Sequence, residues 1–278
     1  MLTKTLQLDD NVLAIIRTMD WRDDGKLGVL MCGQLDRKMY NSVNKALAAM
    51  GGKWNRSKGG HVFPLDPRPQ VAGLIENGVL TVERDGFFET PSEVVARMME
   101  LVQPRGRVLE PSAGLGGIAD HLPISRDSLL CIEKNERRAE ELQKNGYAVH
   151  HGDFLAMMPG MFDTILMNPP FEQGQDIDHV QHAFECLAQN GSLVSVMSPG
   201  PFFRGDRKAT EFREWFDSVG GYAEELPPNS FKQSGTGVNA CLVVIRRNLT
   251  NPPTLPDLPR MCARGLELME KEKHGHNS

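Results

Sequence analysis

The stretch RVLEPSAGLGG at residues 107–117 decides the fold class, because a short apolar strand runs there into a glycine-rich turn. We expect a short helix to open after that turn. Four more runs of strand character follow along the chain: SLLCIE (128–133), YAVHH (147–151), FDTILM (162–167) and GSLVSVM (191–197). Helices are predicted between them at about 135–145 and 177–189. This alternation is typical of a parallel sheet covered by helices on both faces.

The end of this alternating region departs from the pattern. A predicted helix at 207–219 precedes two further strands, near 221–226 and at 239–246. The connection between those strands is too short for a crossover helix, so we expect them to pair antiparallel. The sequence therefore predicts an α/β fold with a seven-stranded, mostly parallel sheet whose last strand is antiparallel.

The first 86 residues have a different pattern of predicted strands and helices, which we interpret as a small α+β domain. A strand-like GVLMC precedes an amphipathic helix that starts at Asp36, and KWNR and HVFPL flank a turn at 57–60 that is typical of a hairpin. The predicted boundaries are 1–86 for this N-terminal domain, 87–248 for the main domain, and 249–278 for a proline-rich linker with a polar tail.

The composition limits the class of protein. With 40% apolar and 24% charged residues, a chain of 278 residues can bury a substantial core. No run of about 18 apolar residues and no signal-peptide pattern occurs, so we expect a cytoplasmic protein without a membrane span. Five cysteines form no C-x-x-C pair, which argues against a zinc ribbon or a disulfide-rich scaffold. Four histidines are interpreted as surface or structural residues rather than metal ligands: His150, His151, His179 and His182.

The charge is distributed unevenly. Between Arg37 and Arg68 there are seven basic residues and one acid, a local charge of +6. Since the whole chain carries −5, the remainder carries −11. One basic face on an acidic protein fits a nucleic-acid enzyme, although solvated surface charge is the alternative.

Three signals at the ends of predicted strands indicate a nucleotide-like cofactor. The glycine turn lets a ligand approach the backbone, and residues 114–116 with Ala119 also fit the G-x-G-x-x-A dinucleotide fingerprint. Glu133 ends the next strand, where an acid can accept hydrogen bonds from the ribose of NAD or adenosylmethionine. Asp153 and Phe154 follow the third strand and can hold an adenine ring. A plain tight turn and loop or cap carboxylates are the structural alternatives.

The strongest chemical signal is Asn168-Pro169-Pro170-Phe171, directly after the FDTILM strand. The prolines fix φ and lack N–H donors, so the Pro169 carbonyl is a rigid acceptor beside the Asn168 side chain. Phe171 adds a flat apolar face. Two acceptors and a ring suit a planar exocyclic amine whose lone pair is aimed at an electrophile. A second Asn-Pro-Pro at 251–253 is followed by threonine, and we interpret that copy as linker.

In their order along the chain, these motifs resemble those of class I adenosylmethionine-dependent methyltransferases, most closely the N6-adenine DNA methyltransferase branch. FFETPSEVVARMM (87–99) looks like the remaining cofactor motif of that branch, and we expect Thr90, Pro91 and Glu93 to form a capping box there. The segment 226–245 is similar to the one that places an aromatic ring on the other face of the flipped base, which Phe231 matches. The resemblance spans about 87–247 and implies a Rossmann-like sheet of six parallel strands and an antiparallel seventh.

The resemblance implies roles for individual residues. Asn168 and Pro169, with Pro170 completing the motif, would hold the target amine between Phe171 and Phe231. S-adenosyl-L-methionine would be the methyl donor, bound by residues of the other motifs and by the asparagine: Thr90, Pro91, Glu110, Pro111, Ala113, Gly114, Gly116, Glu133, Asp153, Phe154 and Asn168. An adenine in duplex DNA must be flipped out to reach such a pocket.

One departure from this branch concerns target recognition. Its members usually carry a recognition domain after the catalytic domain, whereas the residues after 248 look like linker and tail. We therefore expect the N-terminal hairpin to contact DNA phosphates, with basic residues of the main domain at the opposite rim: Lys53, Arg56 and Lys58, then Arg204, Arg207 and Lys208. A solvated turn with Trp54 in a local core is the alternative.

Other functions remain open at this level. An RNA methyltransferase that acts on adenine or guanine amines could share the cofactor site and the Asn-Pro-Pro-Phe motif. A protein-glutamine methyltransferase uses a similar tetrapeptide, usually with tyrosine last, and a non-catalytic cofactor binder is the structural alternative. An NAD dehydrogenase would leave this tetrapeptide and Phe231 without a role. The sequence does not indicate an oligomeric state.

Overall fold

The computed structural model describes residues 2–84, 87–232, 234 and 237–247. The chain divides into two compact units, Met1–Asp85 and Gly86–Ser278. The proposed linker and tail after residue 248 lie outside the described residues. Within the described part, no helix combines the length and the apolar character needed to cross a membrane.

The N-terminal unit is built from short antiparallel strands and three helices. Its elements in chain order are β1 (Leu2–Gln7), α1 (Asp10–Arg17), β2 (Asp20–Arg22), β3 (Leu27–Val29), α2 (Arg37–Ala49), β4 (Lys53–Asn55), β5 (Gly60–Val62), α3 (Arg68–Asn77) and β6 (Val79–Arg84). Strands β2-β3-β5-β4 form one sheet in that order, and β1 pairs with β6. The predicted strand near 28–32, the helix after Asp36 and the hairpin around residues 57–60 are all confirmed.

Helix α2 shows how the sequence specifies this unit. The Asp36 carboxylate accepts hydrogen bonds from the backbone N–H groups of Lys38 at 2.8 Å and Met39 at 2.9 Å, which caps the helix start. Val43 and Leu47 lie one turn apart and are buried in the core of the unit.

The second unit alternates strands and helices. Its elements are α4 (Ser92–Leu101), β7 (Val108–Glu110), β8 (Leu129–Glu133), α5 (Glu136–Lys144), β9 (Ala148–His151), β10 (Phe162–Met167), α6 (Gln175–Glu185), β11 (Leu187–Met197), α7 (Arg207–Ser218), β12 (Tyr222–Glu225) and β13 (Cys241–Arg246). The sheet order is β12-β13-β11-β10-β7-β8-β9. Strand β13 runs antiparallel to both of its neighbours, and the pairs from β11 to β9 are parallel. The predicted seven-stranded, mostly parallel sheet is confirmed.

Alternate residues of the strands pack into two apolar cores, one on each face of the sheet. Val108 and Cys131 belong to one core, while their neighbours Leu109 and Ile132 belong to the other. The continuous apolar runs that the sequence shows are therefore buried on both sides, as expected for a parallel sheet.

Two predicted elements differ from the structure. Helix α6 ends at Glu185 instead of 189, because Leu187 is fully buried and already pairs with Phe162 as the first residue of β11. The short helix expected after the glycine turn is reduced to a single 3-10 turn at Ala119–His121. Gly114 and Gly116 have φ of 57° and 91°, so the preceding backbone cannot continue as a right-handed helix.

Candidate active site at the carboxyl edge of the sheet

The predicted site residues converge on the carboxyl edge of the parallel strands. Glu110 ends β7, Glu133 ends β8, and Asn168 directly follows β10. The strand order reverses between β7 and β10. Strands β8 and β9 are added on one side of β7, and β10 then pairs with the other side of β7. Ligands of open α/β sheets bind at such a point.

Asn168 is held by two acceptors from the segment 87–90. Its Nδ2 donates to the Phe88 carbonyl at 3.2 Å and to the Thr90 Oγ1 at 3.1 Å. Among the described residues, no donor bonds to the Asn168 Oδ1. The amide is therefore oriented with its acceptor available for a ligand.

The capping box predicted at Thr90 is wrong. Helix α4 begins at Ser92, and the residue before it, Pro91, makes no side-chain cap. The Thr90 hydroxyl accepts the hydrogen bond from Asn168 instead, so this buried threonine supports the asparagine rather than the helix.

The segment 87–90 also contacts the glycine turn. A Cβ at Gly114 would collide with the Phe87 ring, and a Cβ at Gly117 would lie 3.3 Å from the Thr90 backbone nitrogen. The other predicted loop residues, Pro111, Ala113 and Gly116, are buried in the same turn. Glycine is thus required where the two segments meet.

The two aromatic rings predicted to sandwich a base are unequally available. Phe171 is half-buried and packs against the apolar core that contains Phe231. Phe231 itself is only 4% exposed, so its ring presents almost no surface to a base as placed. Its turn is tied to the segment 87–90, because the Ser234 Oγ donates to the Glu89 carbonyl at 2.6 Å. The stacking role of Phe231 therefore requires that turn to move.

The Glu133 carboxylate is buried and already accepts four hydrogen bonds. Its Oε2 takes the Gly114 N–H at 2.8 Å. Its Oε1 takes the Asn135 N–H at 2.7 Å and the Arg138 guanidinium at 3.1 Å and 2.9 Å. The same guanidinium lies over the Phe87 ring, 4.7 Å from its centroid. The Oε1 atom is thus fully engaged, whereas Oε2 keeps one acceptor position beside the Gly114 N–H for a ribose hydroxyl.

Asp153 and Phe154 are placed differently from the expectation. Asp153 forms an ion pair with Lys134 at 2.6 Å and caps the Leu155 N–H. Burial acts to raise the pKa of Asp153, but those two hydrogen bonds outweigh it and the pKa is lowered. Phe154 is only 2% exposed, so it contributes to the core and offers little surface to an adenine.

Glu110 tests whether the site fits adenosylmethionine. The side chain is 1% exposed, and its Oε2 has no hydrogen-bond partner. Desolvation raises the pKa of Glu110 well above its ordinary value, against the opposing effect of the Ala119 N–H. A buried acceptor without a donor is complementary to a ligand ammonium group, such as that of a methionyl moiety. The amine and hydroxyl donors of adenosylmethionine would find carboxylate acceptors in Glu110 at the end of β7, Glu133 at the end of β8 and Asp153 just beyond β9.

The remaining predicted basic residues lie in the loop after β11, which carries Arg204, and at the start of α7, which carries Arg207 and Lys208. Arg204, Arg207 and Lys208 each form an ion pair, with Asp206 at 3.1 Å, Glu211 at 3.5 Å and Asp178 at 2.7 Å. These pairs are largely exposed, so phosphate groups can compete for the cations.

The hairpin residues Lys53, Arg56 and Lys58 are exposed on the N-terminal unit, as a contact surface requires. Trp54 is 50% exposed, which is inconsistent with the alternative that places it in a local core.

Sequence reasoning missed the groups that hold the site together. Arg138 was detectable as a basic residue five positions after Glu133 in a predicted helix. Asp176 gave no comparable signal: it is fully buried and accepts hydrogen bonds from the Ser198 N–H at 3.0 Å and Oγ at 2.7 Å. This pair fixes the start of α6 against the end of β11. Within the described residues, no group of three His, Cys, Asp or Glu side chains is arranged to hold a metal ion.

Comparisons with known proteins agree with this architecture. Residues 89–203 match the family described as methyltransferase small domain. The chain is similar in fold to the type I restriction-modification methyltransferase subunit from Streptococcus thermophilus, with 18% identity, a TM-score of 0.52, and coverage of 70% of this chain and 55% of that one. It is also similar in fold to the M protein of the type I restriction enzyme EcoKI, with 17% identity, a TM-score of 0.50, and coverage of 86% of this chain and 59% of that one.

The chain thus spans little more than half the length of these two structures. No curated protein matches it. The family match covers a region of the second unit that contains Glu110, Glu133, Asp153 and Asn168.

Proposed function

We propose that this protein methylates the exocyclic N6 amine of an adenine flipped out of DNA. The observation that carries the proposal is the fixed amide of Asn168, whose Nδ2 is bound by Phe88 and Thr90. With its donor engaged, the side chain can offer only Oδ1 to a substrate. An acceptor of that kind selects an amine that carries N–H groups.

The Asn-Pro-Pro-Phe segment supplies the rest of the amine site. The Pro169 carbonyl gives a second acceptor, and Phe171 gives a face on which a base can stack. Accepting both N–H bonds withdraws the nitrogen lone pair from the ring and aims it outward. Extrusion of the base costs a few kcal/mol, which stacking on an aromatic ring can offset.

The cofactor side is proposed from the acids of the same edge. Glu110 would accept the ammonium group, Glu133 the ribose hydroxyls and Asp153 the adenine amine, while the 111–117 turn lies along the methionyl part. Bound adenosylmethionine supplies a sulfonium methyl group: a nitrogen–carbon bond forms as the sulfur–carbon bond breaks, and sulfur keeps the electron pair. The alkylated nitrogen then loses a proton to solvent, so no strong protein base is needed.

DNA is proposed as the substrate because of the basic hairpin on the N-terminal unit. Lys53, Arg56 and Lys58 would bind phosphates there, and Arg204 would do so on the catalytic unit. The two structures of similar fold are a type I restriction-modification methyltransferase subunit and the M protein of a type I restriction enzyme, which favours the same substrate class. Phosphate contacts provide affinity and orientation rather than sequence preference.

The test offers tritiated S-adenosylmethionine to the full chain with duplex DNA, ribosomal RNA and cell protein in parallel. We expect label in DNA, and we expect Asn168→Ala to abolish it. Asn251→Ala is the matched control, because Asn251 begins the same tripeptide without the aromatic residue and should retain activity. Label in RNA or protein but not in DNA would overturn the proposal.

A further inference from the structure

The hairpin of β4 and β5 presents an unusual pair of aromatic residues. Trp54 on β4 lies opposite His61 on β5 in the antiparallel register. His61 is 1% exposed, whereas Trp54 is 50% exposed. Strand β4 is at the edge of its sheet, so the indole lies at the border of the unit.

The indole rests on a fixed support. The His61 ring meets it edge-on, with 5.2 Å between ring centroids and an interplanar angle of 67°. The His61 Nε2 is hydrogen-bonded to the Asn44 Oδ1 at 2.8 Å, and burial lowers the pKa of this histidine. Trp54 is therefore held by a neutral ring anchored to α2, while half of its surface faces solvent.

Three cations are close to this tryptophan in the sequence. Lys53 precedes Trp54, and Arg56 and Lys58 lie in the four-residue loop 56–59, all three of them exposed. The Asn55 Oδ1 accepts hydrogen bonds from the Ser57 Oγ at 2.7 Å and the Lys58 N–H at 3.0 Å, which orders the loop.

Asp23 competes with a ligand for one of these cations. Lys58 forms an ion pair with Asp23 at 3.1 Å, and both side chains are about half exposed. Such pairs contribute little stability, so a phosphate can replace the carboxylate. An exposed aromatic ring among cations is complementary to a chain that carries both ring faces and negative charge.

We infer that the 53–61 hairpin binds an unpaired nucleotide strand, with one base stacked on Trp54 and the phosphates on Lys53, Arg56 and Lys58. A single indole needs an open base face, which a strand offers and a duplex hides between its own base pairs. This site requires no methyl transfer. It rests on the proposed function in two respects, the expectation that the partner is a nucleic acid and the use of the same three cations for its phosphates.

The test is a binding titration of the full chain at two salt concentrations, followed by tryptophan fluorescence. The ligands are oligothymidylate of about 15 nucleotides, an abasic strand of the same length, oligouridylate and a DNA duplex. Each is titrated into the wild type, Trp54→Leu and Trp54→Tyr. The abasic strand keeps the phosphates and removes the stacking partner, and the oligouridylate separates RNA from DNA as the source of the strand.

We expect the wild type to bind oligothymidylate about tenfold or more tightly than the abasic strand, with quenched emission, in line with stacking energies per base. Trp54→Leu should bind both strands alike, and Trp54→Tyr should regain most of the preference. Unfolding midpoints of the variants show that each one is folded. Equal binding of the two strands by the wild type, a preference that survives Trp54→Leu, or tighter binding of the duplex would overturn the inference.

Discussion

The hydrogen bonds within the protein engage different groups at the two halves of the carboxyl edge, the half at Asn168 and the half at Glu133. At Asn168 the amide donor is engaged, because its Nδ2 donates to the Phe88 carbonyl and the Thr90 hydroxyl. At Glu133 the carboxylate oxygens accept hydrogen bonds from Gly114, Asn135 and Arg138. The Asn168 side thus presents an acceptor whose donor is already engaged, whereas the other side combines a largely occupied carboxylate at Glu133 with an unpartnered Oε2 at Glu110.

This difference affects what each half contributes. A preorganised acceptor acts without reorganisation at the moment of reaction, which favours the rate of the chemical step. A carboxylate that already accepts four internal hydrogen bonds gains less net free energy from a further hydroxyl than an unpartnered one does. We therefore expect substitutions at Asn168 to affect the reaction and substitutions around Glu133 to affect folding and cofactor binding.

The largest expected effect is that of Asn168→Ala on the methyl-transfer step. Loss of one preorganised polar group of this kind typically slows a reaction by about 10² to 10³-fold. We expect a decrease of that size in single-turnover methylation of DNA, measured by rapid quench with saturating cofactor. A decrease of less than about tenfold would mean that the amide is not the amine acceptor.

The cofactor half is best probed with Arg138→Ala. The Arg138 and Glu133 side chains are 13% and 6% exposed, so the substitution leaves a buried carboxylate without its ion pair. We expect a loss of about 3 kcal/mol in the free energy of unfolding, measured in urea without cofactor. Saturating adenosylmethionine should restore part of it.

Arg207→Ala is the control for Arg138→Ala. Its ion pair with Glu211 lies within α7, but the arginine is 90% exposed, and we expect almost no change in stability. Equal effects of the two substitutions would show that the Glu133 carboxylate does not depend on Arg138.

Thr90→Val tests whether the amide needs its support. The variant keeps the shape of the buried side chain but removes the Oγ1 acceptor, so Asn168 retains only the Phe88 carbonyl. We expect kcat to fall about tenfold while the Kd for DNA stays the same, because positioning rather than binding is lost. Thr90→Ser should restore kcat, and a valine variant with unchanged kcat would exclude this positioning role.

The smallest expected effect concerns Glu110→Gln. Because burial raises the folded-state pKa of Glu110, the native state favours the protonated carboxyl. Stability is therefore complete below the unfolded-state pKa of about 4.3 and decreases as the pH rises above it towards the folded-state pKa. Glutamine removes this decrease, and we expect a higher free energy of unfolding at pH 7 in denaturant titrations, with weaker cofactor binding. A variant whose stability follows the same pH dependence as the wild type would contradict this account.

The sequence predicts the frame of the molecule well, because strands buried on both faces leave long apolar runs and glycine marks their ends. FDTILM corresponds to β10 at both ends, and Asp36 caps α2 as its residue type suggests. The predicted helix at 177–189 is too long because residues 186–189 carry no strong signal against helix, and only the pairing of Leu187 with Phe162 decides the boundary.

The details of the site were less predictable, because they depend on contacts between distant segments. The hydroxyl of Thr90 was expected to cap a helix next to it, but Asn168, 78 positions away in sequence, binds it. The burial of Phe154 and Phe231 likewise follows from packing against other strands, which spacing within one motif does not reveal. The residue types at the carboxyl edge were predictable, but their hydrogen-bond partners were not.

The central claim is that the carboxyl edge places a methyl group on the N6 amine of adenine in DNA. The most direct test incubates the full chain with duplex DNA and trideuteromethyl-labelled S-adenosylmethionine, digests the DNA, and identifies the labelled nucleoside by mass spectrometry. We predict N6-methyldeoxyadenosine carrying the label. Label on cytosine or on a ring nitrogen of adenine, or no labelled deoxynucleoside at all, would contradict the claim.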